Sequence, residues 1–295
     1  MSRYDNLRQI QQLDPVKDCC QIVHLLAGYE FPWDITRALE VALFRTYCVP
    51  SISALLDKSG EFHRHTQKRY DDTGLIVAEI MKWGYDSSRG QEAIERMNKI
   101  HGRFKISNQD FLYVLSTFIY EPIRWLDRFG WRKMCEQERK ASFYFWREVG
   151  KRMHILNIPE TYEQFELYNL NYEREHFRYS DTNRRVGEST RNLFLSWFPG
   201  FLRPVIKPAV HSLLDETMLE AFGFEHPPQP LGWAVVTSLK IRSSALRLFL
   251  PRRKASFFTD APNRSYPNGY QLAELGPPQI LESLNNSEDA AKELK

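Results

Sequence analysis

The sequence predicts an all-α protein. Apolar residues recur at three- and four-residue steps through most of the 295 residues, and runs that alternate apolar with polar side chains are scarce. Prolines and glycines stand at many of the ends of these periodic stretches. We expect one helical domain over residues 31–250, between an N-terminal, weakly packed arm (1–30) and an irregular tail (251–295) that is partly disordered beyond Asn285.

The first half of this domain contains four predicted helices with recognisable boundaries. Gly102 occupies the position at which helices often end in a left-handed residue, and Ser107 with Asp110 resembles a capping box. In chain order the four helices are 32–47, from Pro32 to a stop at Pro50; 61–83, between Gly60 and Gly84; 87–101, closed by Gly102; and 111–125, introduced by Ser107.

The second half contains four more. Pro204 and Pro208 are expected to break the segment before the last of them, because proline removes a backbone donor from a helix. The predicted helices are one that follows Gly130-Trp131 and reaches about 153; 159–176, from Pro159; 181–197, from Asp181; and 231–250, ended by Pro251.

Composition and charge exclude several classes of protein. The formal net charge is +3, from 40 basic and 37 acidic side chains that are interspersed, so a nucleic-acid-binding footprint is not expected. Charged residues interrupt every apolar run before the roughly 20 residues of a membrane-spanning helix. The four cysteines lack the C-x-x-C spacing of zinc sites, which indicates a reduced, cytosol-facing protein. The oligomeric state cannot be read from the sequence.

The helix at 61–83 presents a polar pair on a face that should be buried. Arg69 and Thr73 share that face with Ile76 and Ile80, because these positions are three or four residues apart. A guanidinium in an apolar interior needs an anionic partner. Asp72 is one candidate, in which case the pair would only brace helices; a bound ligand is the other.

The next helix presents a histidine on its apolar face. Ile94, Met97 and His101 recur at helical spacing, so His101 points where the apolar residues point. From spacing alone, His101 is either a core histidine that donates to a carbonyl or a metal or haem ligand. Gly102 is compatible with a flat group approaching the backbone, and also with a plain helix end.

The most specific pattern is a series of motifs in a fixed order. They are Lys68-Arg69-Tyr70-Asp71-Asp72-Thr73, Arg96-Met97-Asn98-Lys99-Ile100-His101-Gly102, Tyr113-Val114-Leu115, Arg124-Trp125, Gly130-Trp131-Arg132, Trp146-Arg147-Glu148-Val149-Gly150 and Ile158-Pro159. In this order and spacing they resemble the family that joins fungal MpaB-type oxygenases to bacterial latex clearing protein, the rubber oxygenase. The resemblance covers roughly residues 30–250.

This resemblance implies a b-type haem in a globin-like helical core, and cleavage or oxidation of an isoprenoid C=C bond with dioxygen. The histidine that matches His101 would be the proximal iron ligand, beside Met97 and Gly102. Arg69 and Thr73 match the distal arginine and threonine of the rubber enzymes, whose lysine falls at Asp72. That reversal of charge favours a small apolar substrate over a polymer.

Roles follow from the same resemblance. Arg69 would donate to bound dioxygen or to a haem propionate, Thr73 would donate a second hydrogen bond, and Asp72 would orient Arg69 or relay a proton. An apolar shell would exclude water and hold the substrate. The fungal members imply a peripheral location on the endoplasmic reticulum membrane for a chain without a membrane-spanning segment.

Two alternatives remain open. A non-haem di-iron oxygenase would use paired Glu-x-x-His motifs, of which Glu173 and His176 supply one. A non-catalytic, membrane-associated carrier of haem or a prenyl lipid would use the Trp- and Phe-rich stretch at 192–202 and the basic cluster at 252–254. The stretch at 192–202 is equally compatible with a buried helix-turn-helix corner.

Overall fold

A computed structural model describes residues 2–281, and that part of the chain is helical without strands, which confirms the all-α class. The globin-like arrangement stays a prediction. In chain order the α-helices are α1 (Asp5–Ile10), α2 (Cys19–Leu25), α3 (Pro32–Thr46), α4 (Pro50–Ser59), α5 (Glu61–Arg64), α6 (Thr66–Trp83), α7 (Ser88–His101), α8 (Asn108–Phe129), α9 (Glu136–Arg152), α10 (Tyr162–His176), α11 (Asp181–Ser196), α12 (Arg203–His211), α13 (Glu216–Phe222) and α14 (Gln229–Leu246). A π-turn at Leu26–Glu30 joins α2 to α3.

Local capping explains where several helices begin. The side chain of Ser87 accepts a hydrogen bond from the N–H of Gly90 at the start of α7, and Ser107 accepts one from Asp110 at the start of α8, each at 3.0 Å. Pro50 begins α4 as well as following α3, because proline fits the first helical turn, where its missing N–H has no intrahelical partner.

Four expectations about helix boundaries are wrong, one of them being the predicted end of the last helix at Pro251, since α14 ends at Leu246. His65 has φ −133° and ψ 40°, so the predicted helix 61–83 is divided into α5 and α6. Gly102 has φ −62° and continues into a turn in the right-handed region. Pro204 and Pro208 both lie within α12. Pro204 occupies the first turn, where its missing N–H has no intrahelical partner, and Pro208 removes one backbone hydrogen bond without ending the helix.

The core is centred on α8, which packs against α3, α9 and α10. Large aromatic side chains such as Tyr120, Phe143 and Phe165 are fully buried there. The N-terminal segment differs from the weakly packed arm we expected, because Ile10 and Ile22 are 0% exposed and belong to the same apolar cluster. Residues 251–281 are irregular, as predicted, yet they pack on the core; the expected disorder beyond Asn285 lies outside the described residues.

Across residues 2–281, no individual helix combines the length and apolarity that a bilayer span requires. Helices α3 and α4 together reach that length and composition, with an angle of 96° between them at the break.

Candidate active site

A cavity of about 540 Å³ lies between α6, α7 and α8. Its walls are mostly aliphatic and aromatic, with Val77, Phe111, Leu115, Phe118 and Trp146 among them. Volumes of roughly 300–1,000 Å³ are typical of sites for small molecules and cofactors. The cavity is therefore large enough for a bulky apolar ligand, and the few polar side chains in its wall determine what chemistry it can support.

Helix α6 supplies the polar pair that the sequence predicted. Arg69, Thr73, Ile76 and Ile80 all line the cavity, which confirms that they share one face. Thr73 donates its hydroxyl proton to the backbone carbonyl of Arg69 at 2.9 Å, so its oxygen lone pairs remain available as acceptors. Threonine can act as a donor to a ligand after its hydroxyl rotates away from that carbonyl.

The Arg69 guanidinium makes no ion pair or side-chain hydrogen bond with the residues that the structure describes. It lies over the ring of Phe62, with 5.6 Å between the guanidinium carbon and the ring centroid. A cation that borders a largely apolar cavity without a carboxylate partner is an unfavourable arrangement for the protein alone. Arg69 is thus free to bind an anionic group or an oxygen atom inside the cavity.

Helix α7 supplies the imidazole. His101 and Met97 line the same cavity as Arg69, and the His101 and Phe111 rings pack in an edge-type contact with 5.5 Å between their centroids. The Nδ1 atom of His101 is buried and has no hydrogen-bond partner among residues 2–281. Burial, assisted by the positive charge of Arg69, lowers the pKa of His101 to about 4. The imidazole is therefore neutral at neutral pH, the state in which it can bind a metal ion.

Asp72 borders the cavity, but its carboxylate is engaged elsewhere. It accepts hydrogen bonds from Lys68 Nζ at 2.9 Å, from the Tyr266 hydroxyl and from the Gly276 N–H at 3.1 Å. Burial raises the pKa of Asp72, and these donors oppose that shift. A buried Arg69–Asp72 pair, one of the two interpretations of the sequence, is absent from the described hydrogen bonds, and the role of Asp72 in orienting Arg69 finds no contact to support it.

Gly102 lies apart from the other candidate residues. It is exposed, and it is not among the described residues that line the cavity. A Cβ atom at this position would meet the Asn98 carbonyl oxygen at 3.2 Å, so the glycine fits the turn after α7. The structure thus brings together Arg69, Thr73, Met97 and His101, with Asp72 at the rim.

Two cavity residues were missed by sequence reasoning. Tyr47, which follows α3, is 8% exposed, and its hydroxyl makes no hydrogen bond to any described side chain; burial raises its pKa to about 12. Glu61 in α5 has a buried Oε1 atom without a hydrogen-bond partner, 3.9 Å from the Arg64 guanidinium, while its Oε2 atom contacts His65 at 3.1 Å. Neither has a spacing signal, because each reaches the cavity from a different helix through tertiary packing.

The Glu173 and His176 pair does not form a metal site. Glu173 is bound by Arg45 through two hydrogen bonds of 2.7 and 2.6 Å and also accepts one from Tyr113. His176 donates from Nδ1 to the Tyr172 carbonyl and stacks on that ring. Among residues 2–281, no group of three or more His, Cys, Asp or Glu side chains is placed to hold a metal ion. The di-iron alternative therefore has no support in this fold.

Comparison with known proteins gives a consistent result. Residues 30–242 match the family model described as ER-bound oxygenase mpaB/B'/rubber oxygenase, catalytic domain. The chain is 28% identical over 251 residues to the ER-bound oxygenase mpaB' of Penicillium brevicompactum, covering 78% of this chain and 59% of that relative. It is 27% identical over 248 residues to mpaB of Penicillium roqueforti, covering 74% of this chain and 83% of the relative. It is also 28% identical to mpaB of P. brevicompactum, of which the match spans 57%.

Proposed function

Since this chain belongs to the family of ER-bound oxygenases mpaB/B' and rubber oxygenases, we propose that it is a haem b-dependent oxygenase. It would use dioxygen to oxidise or cleave a C=C bond of a small, apolar, isoprenoid-type substrate. The observation that carries this proposal is the neutral, unpaired imidazole of His101 in a cavity of about 540 Å³ that also contains an unpaired guanidinium.

The residues present fit a haem. An imidazole nitrogen is the usual protein ligand of a b-type haem iron, and His101 keeps its Nδ1 atom free of protein partners. The cavity wall offers apolar side chains for the porphyrin faces, with Met97 one turn before His101 on α7. Haem also carries two propionates, and a positively charged side chain such as Arg69 is a suitable partner for an anionic oxygen.

His101 would hold the iron, and a bound haem would supply the oxidising chemistry toward dioxygen. The protein's own groups would bind and orient the substrate and would donate hydrogen bonds to oxygen atoms in the cavity. Arg69 presents N–H donors to an oxygen atom or carboxylate, and these donors are strong because the surroundings are apolar. Thr73 supplies a hydroxyl on the same face, one turn further along α6.

Tyr47 offers a further proton in the same wall. Burial raises the pKa of its phenol to about 12, so the hydroxyl keeps its proton at neutral pH and can donate it in a hydrogen bond. Phe118 and Trp146 line the same cavity, and their apolar rings give it an affinity for an apolar substrate. Turnover would therefore depend on positioning an isoprenoid chain between apolar walls and two or three donors.

The test is the absorption spectrum of the purified protein and of two histidine variants. The parent should show a Soret band, and His101→Ala should lose it because the iron loses its protein ligand. His176→Ala is a matched control, since His176 is also partly buried and stacked on an aromatic ring but lies outside the cavity. Equal Soret bands in the parent and His101→Ala would refute the ligand assignment.

Oxygen uptake then separates an oxygenase from a carrier. The haem-loaded protein is supplied with a farnesylated phenol, and dissolved oxygen is followed together with carbonyl products. An oxygenase consumes oxygen in proportion to product, whereas a carrier of haem or prenyl lipid binds the substrate and consumes none.

A further inference from the structure

An exposed apolar surface lies outside the candidate cavity, on α12, α14 and the segments beside them. We call residues 198–211 and 229–254 the basic-apolar strip. Eight of the sixteen large apolar side chains that are exposed in residues 2–281 lie in it, so the exposure is concentrated rather than scattered. These eight are Phe198, Phe201, Val205, Trp233, Ile241, Leu248, Phe249 and Leu250.

Helix α14 is attached to the protein by one side. Val236, Leu239 and Leu246 pack against the main core. Arg242 donates to Asp34 at 3.0 Å and lies over the Trp33 ring at 3.8 Å. These contacts fix the rotation of α14 about its own axis and therefore determine which of its side chains face solvent.

Two large apolar side chains stand on the outward side of α14. Trp233 and Ile241 are 77% and 65% exposed, and their spacing of eight residues places them on one side of the helix, beside small polar residues. Leu248, which is 89% exposed, lies in the turn two residues after the last residue of α14. In an ordinary surface helix such side chains face the core. Here the core is contacted by the other side, so the exposed side chains are available to a partner.

The preceding corner continues this surface. Trp197 is held inward, because its Nε1 donates to Gln67 at 2.9 Å and its ring packs on Tyr70. The following Phe201 is 79% exposed, and α12, which begins two residues later, packs against α14. The stretch at 192–202 is thus a partly buried corner at Trp197 and an exposed apolar surface beyond it.

All charge in the strip has one sign. Residues 198–211 and 229–254 contain no Asp or Glu. The Lys and Arg side chains there are Arg203, Lys207, Lys240, Arg242, Arg247, Arg252, Arg253 and Lys254, and all except Arg242 are exposed. Exposed apolar side chains flanked by cations are the pattern of a helix that lies in the interface of an anionic membrane.

We propose that the basic-apolar strip docks this protein on the surface of an anionic lipid bilayer, with the exposed apolar side chains of α14 and of the turn that follows it inserted at the headgroup level. A second copy of the chain is a poor occupant, because a symmetric contact would bring two sets of cations together without a carboxylate. Trp233 and the three residues 248–250 insert, while Lys240 and Arg247 extend to the phosphates.

Vesicle flotation tests the proposal on the full chain, and it measures neither haem nor turnover, so it can fail while the proposed function stands. The wild type should float with phosphatidylcholine vesicles that contain phosphatidylserine. The double variant Trp233→Asp, Leu248→Asp should remain unbound. Leu167→Asp is the matched control, because Leu167 is 58% exposed on α10, outside the strip, and this variant should float like the wild type.

A second set of variants tests whether the basic side chains of the strip contribute to binding. Replacing Arg252, Arg253 and Lys254 by Gln should weaken binding to phosphatidylserine vesicles by about fivefold for each cation removed, in low salt. Binding to pure phosphatidylcholine should not change. Arg174→Gln is the control, since Arg174 is exposed on α10 and its described side-chain bond is to Asn171 alone.

The outcomes are distinct. Wild-type protein that does not float, or aspartate variants that float equally, would overturn the proposal; melting curves of the variants identify any that fail to fold. A dimer in sedimentation that Trp233→Asp dissociates would assign the strip to a protein-protein contact and would also overturn it.

Discussion

The Asp72 carboxylate accepts a hydrogen bond of 3.1 Å from the backbone N–H of Gly276, which joins α6 to a segment about 200 residues later in the chain. Lys68 strengthens this junction, because its ammonium contacts both Asp72 and the Gly276 carbonyl at 2.9 Å. The neighbouring Pro277 lines the cavity. The segment that contains Gly276 and Pro277 is therefore part of the cavity wall, and its hydrogen bond to Asp72 fixes its position.

Asp72→Ala should destabilise the fold. It leaves the Lys68 ammonium, the Tyr266 hydroxyl and the Gly276 N–H without their shared acceptor. We expect a loss of about 2–3 kcal/mol in the free energy of unfolding, below the roughly 3–5 kcal/mol of a fully buried pair because Lys68 is 25% exposed. Urea denaturation measures it. Asp127→Ala, which removes a more exposed ion pair with Arg139, should cost less than about 1 kcal/mol; equal losses would contradict the assignment.

Arg69→Met should lower turnover without lowering stability. The guanidinium has no described carboxylate partner, so its removal from an apolar wall leaves no group unpaired. Loss of a donor aimed at a reacting oxygen typically reduces kcat about 100- to 1,000-fold. The measurements are oxygen uptake and the melting temperature, with Arg69→Lys as the charge-retaining control. A fall in melting temperature that parallels the loss of activity would indicate a structural role.

Gly150→Ala should be destabilising because α9 passes close to the cavity wall. An added Cβ atom would lie 2.4 Å from Leu115 Cδ2 and 2.9 Å from Ile158 Cδ1. Overpacking of this kind costs about 1–3 kcal/mol. Leu115→Val in the same chain should restore part of the loss by removing a methylene from the crowded contact. Gly200→Ala is the control: nothing lies within 4 Å of its Cβ position, and its unfolding midpoint should not fall.

His211 should make the folded state less stable in mild acid. The ring stacks on Phe224 at 4.7 Å between centroids, and Nδ1 donates to the Glu225 carbonyl at 2.9 Å. Burial lowers the pKa of His211, more than that hydrogen bond raises it. The unfolded chain then binds the proton more tightly, so stability is fully present above the ordinary histidine pKa of about 6.5 and declines as the pH falls below it.

The measurement for His211 is the urea midpoint at about pH 7.5 and about pH 5. His211→Phe should show a smaller difference between the two midpoints than the wild type, because the buried titrating group is gone. His226→Gln is the control, since that side chain is 62% exposed, and it should keep the wild-type difference. An unchanged difference in His211→Phe would contradict this account.

Local signals predicted most of the helices and the directions of the main candidate residues. The periodicity of α6 placed Arg69 and Thr73 beside Ile76, and the structure has all three in the cavity wall. Ser107 caps the helix that follows it, as its spacing to Asp110 predicted. These inferences succeed because a helix relates residues three or four positions apart by fixed geometry.

Expectations that depended on distant segments were less accurate. The N-terminal segment is short and only moderately apolar, yet Ile10 and Ile22 are completely buried, because α2 packs against α6 and α9 while α1 packs against α2. The break at His65 also has no signal in the helical period. Both depend on neighbours that lie far away in sequence.

The sequence by itself determined that this is a helical protein and that Arg69 and His101 face inward, because both facts follow from spacing along a helix. Tertiary structure alone decided what those side chains meet. In the folded chain Asp72 bonds to Gly276, Tyr47 lines the cavity and the outer side of α14 is exposed. A helical period sets the direction of a side chain about its own axis, whereas its partner depends on which remote element packs there.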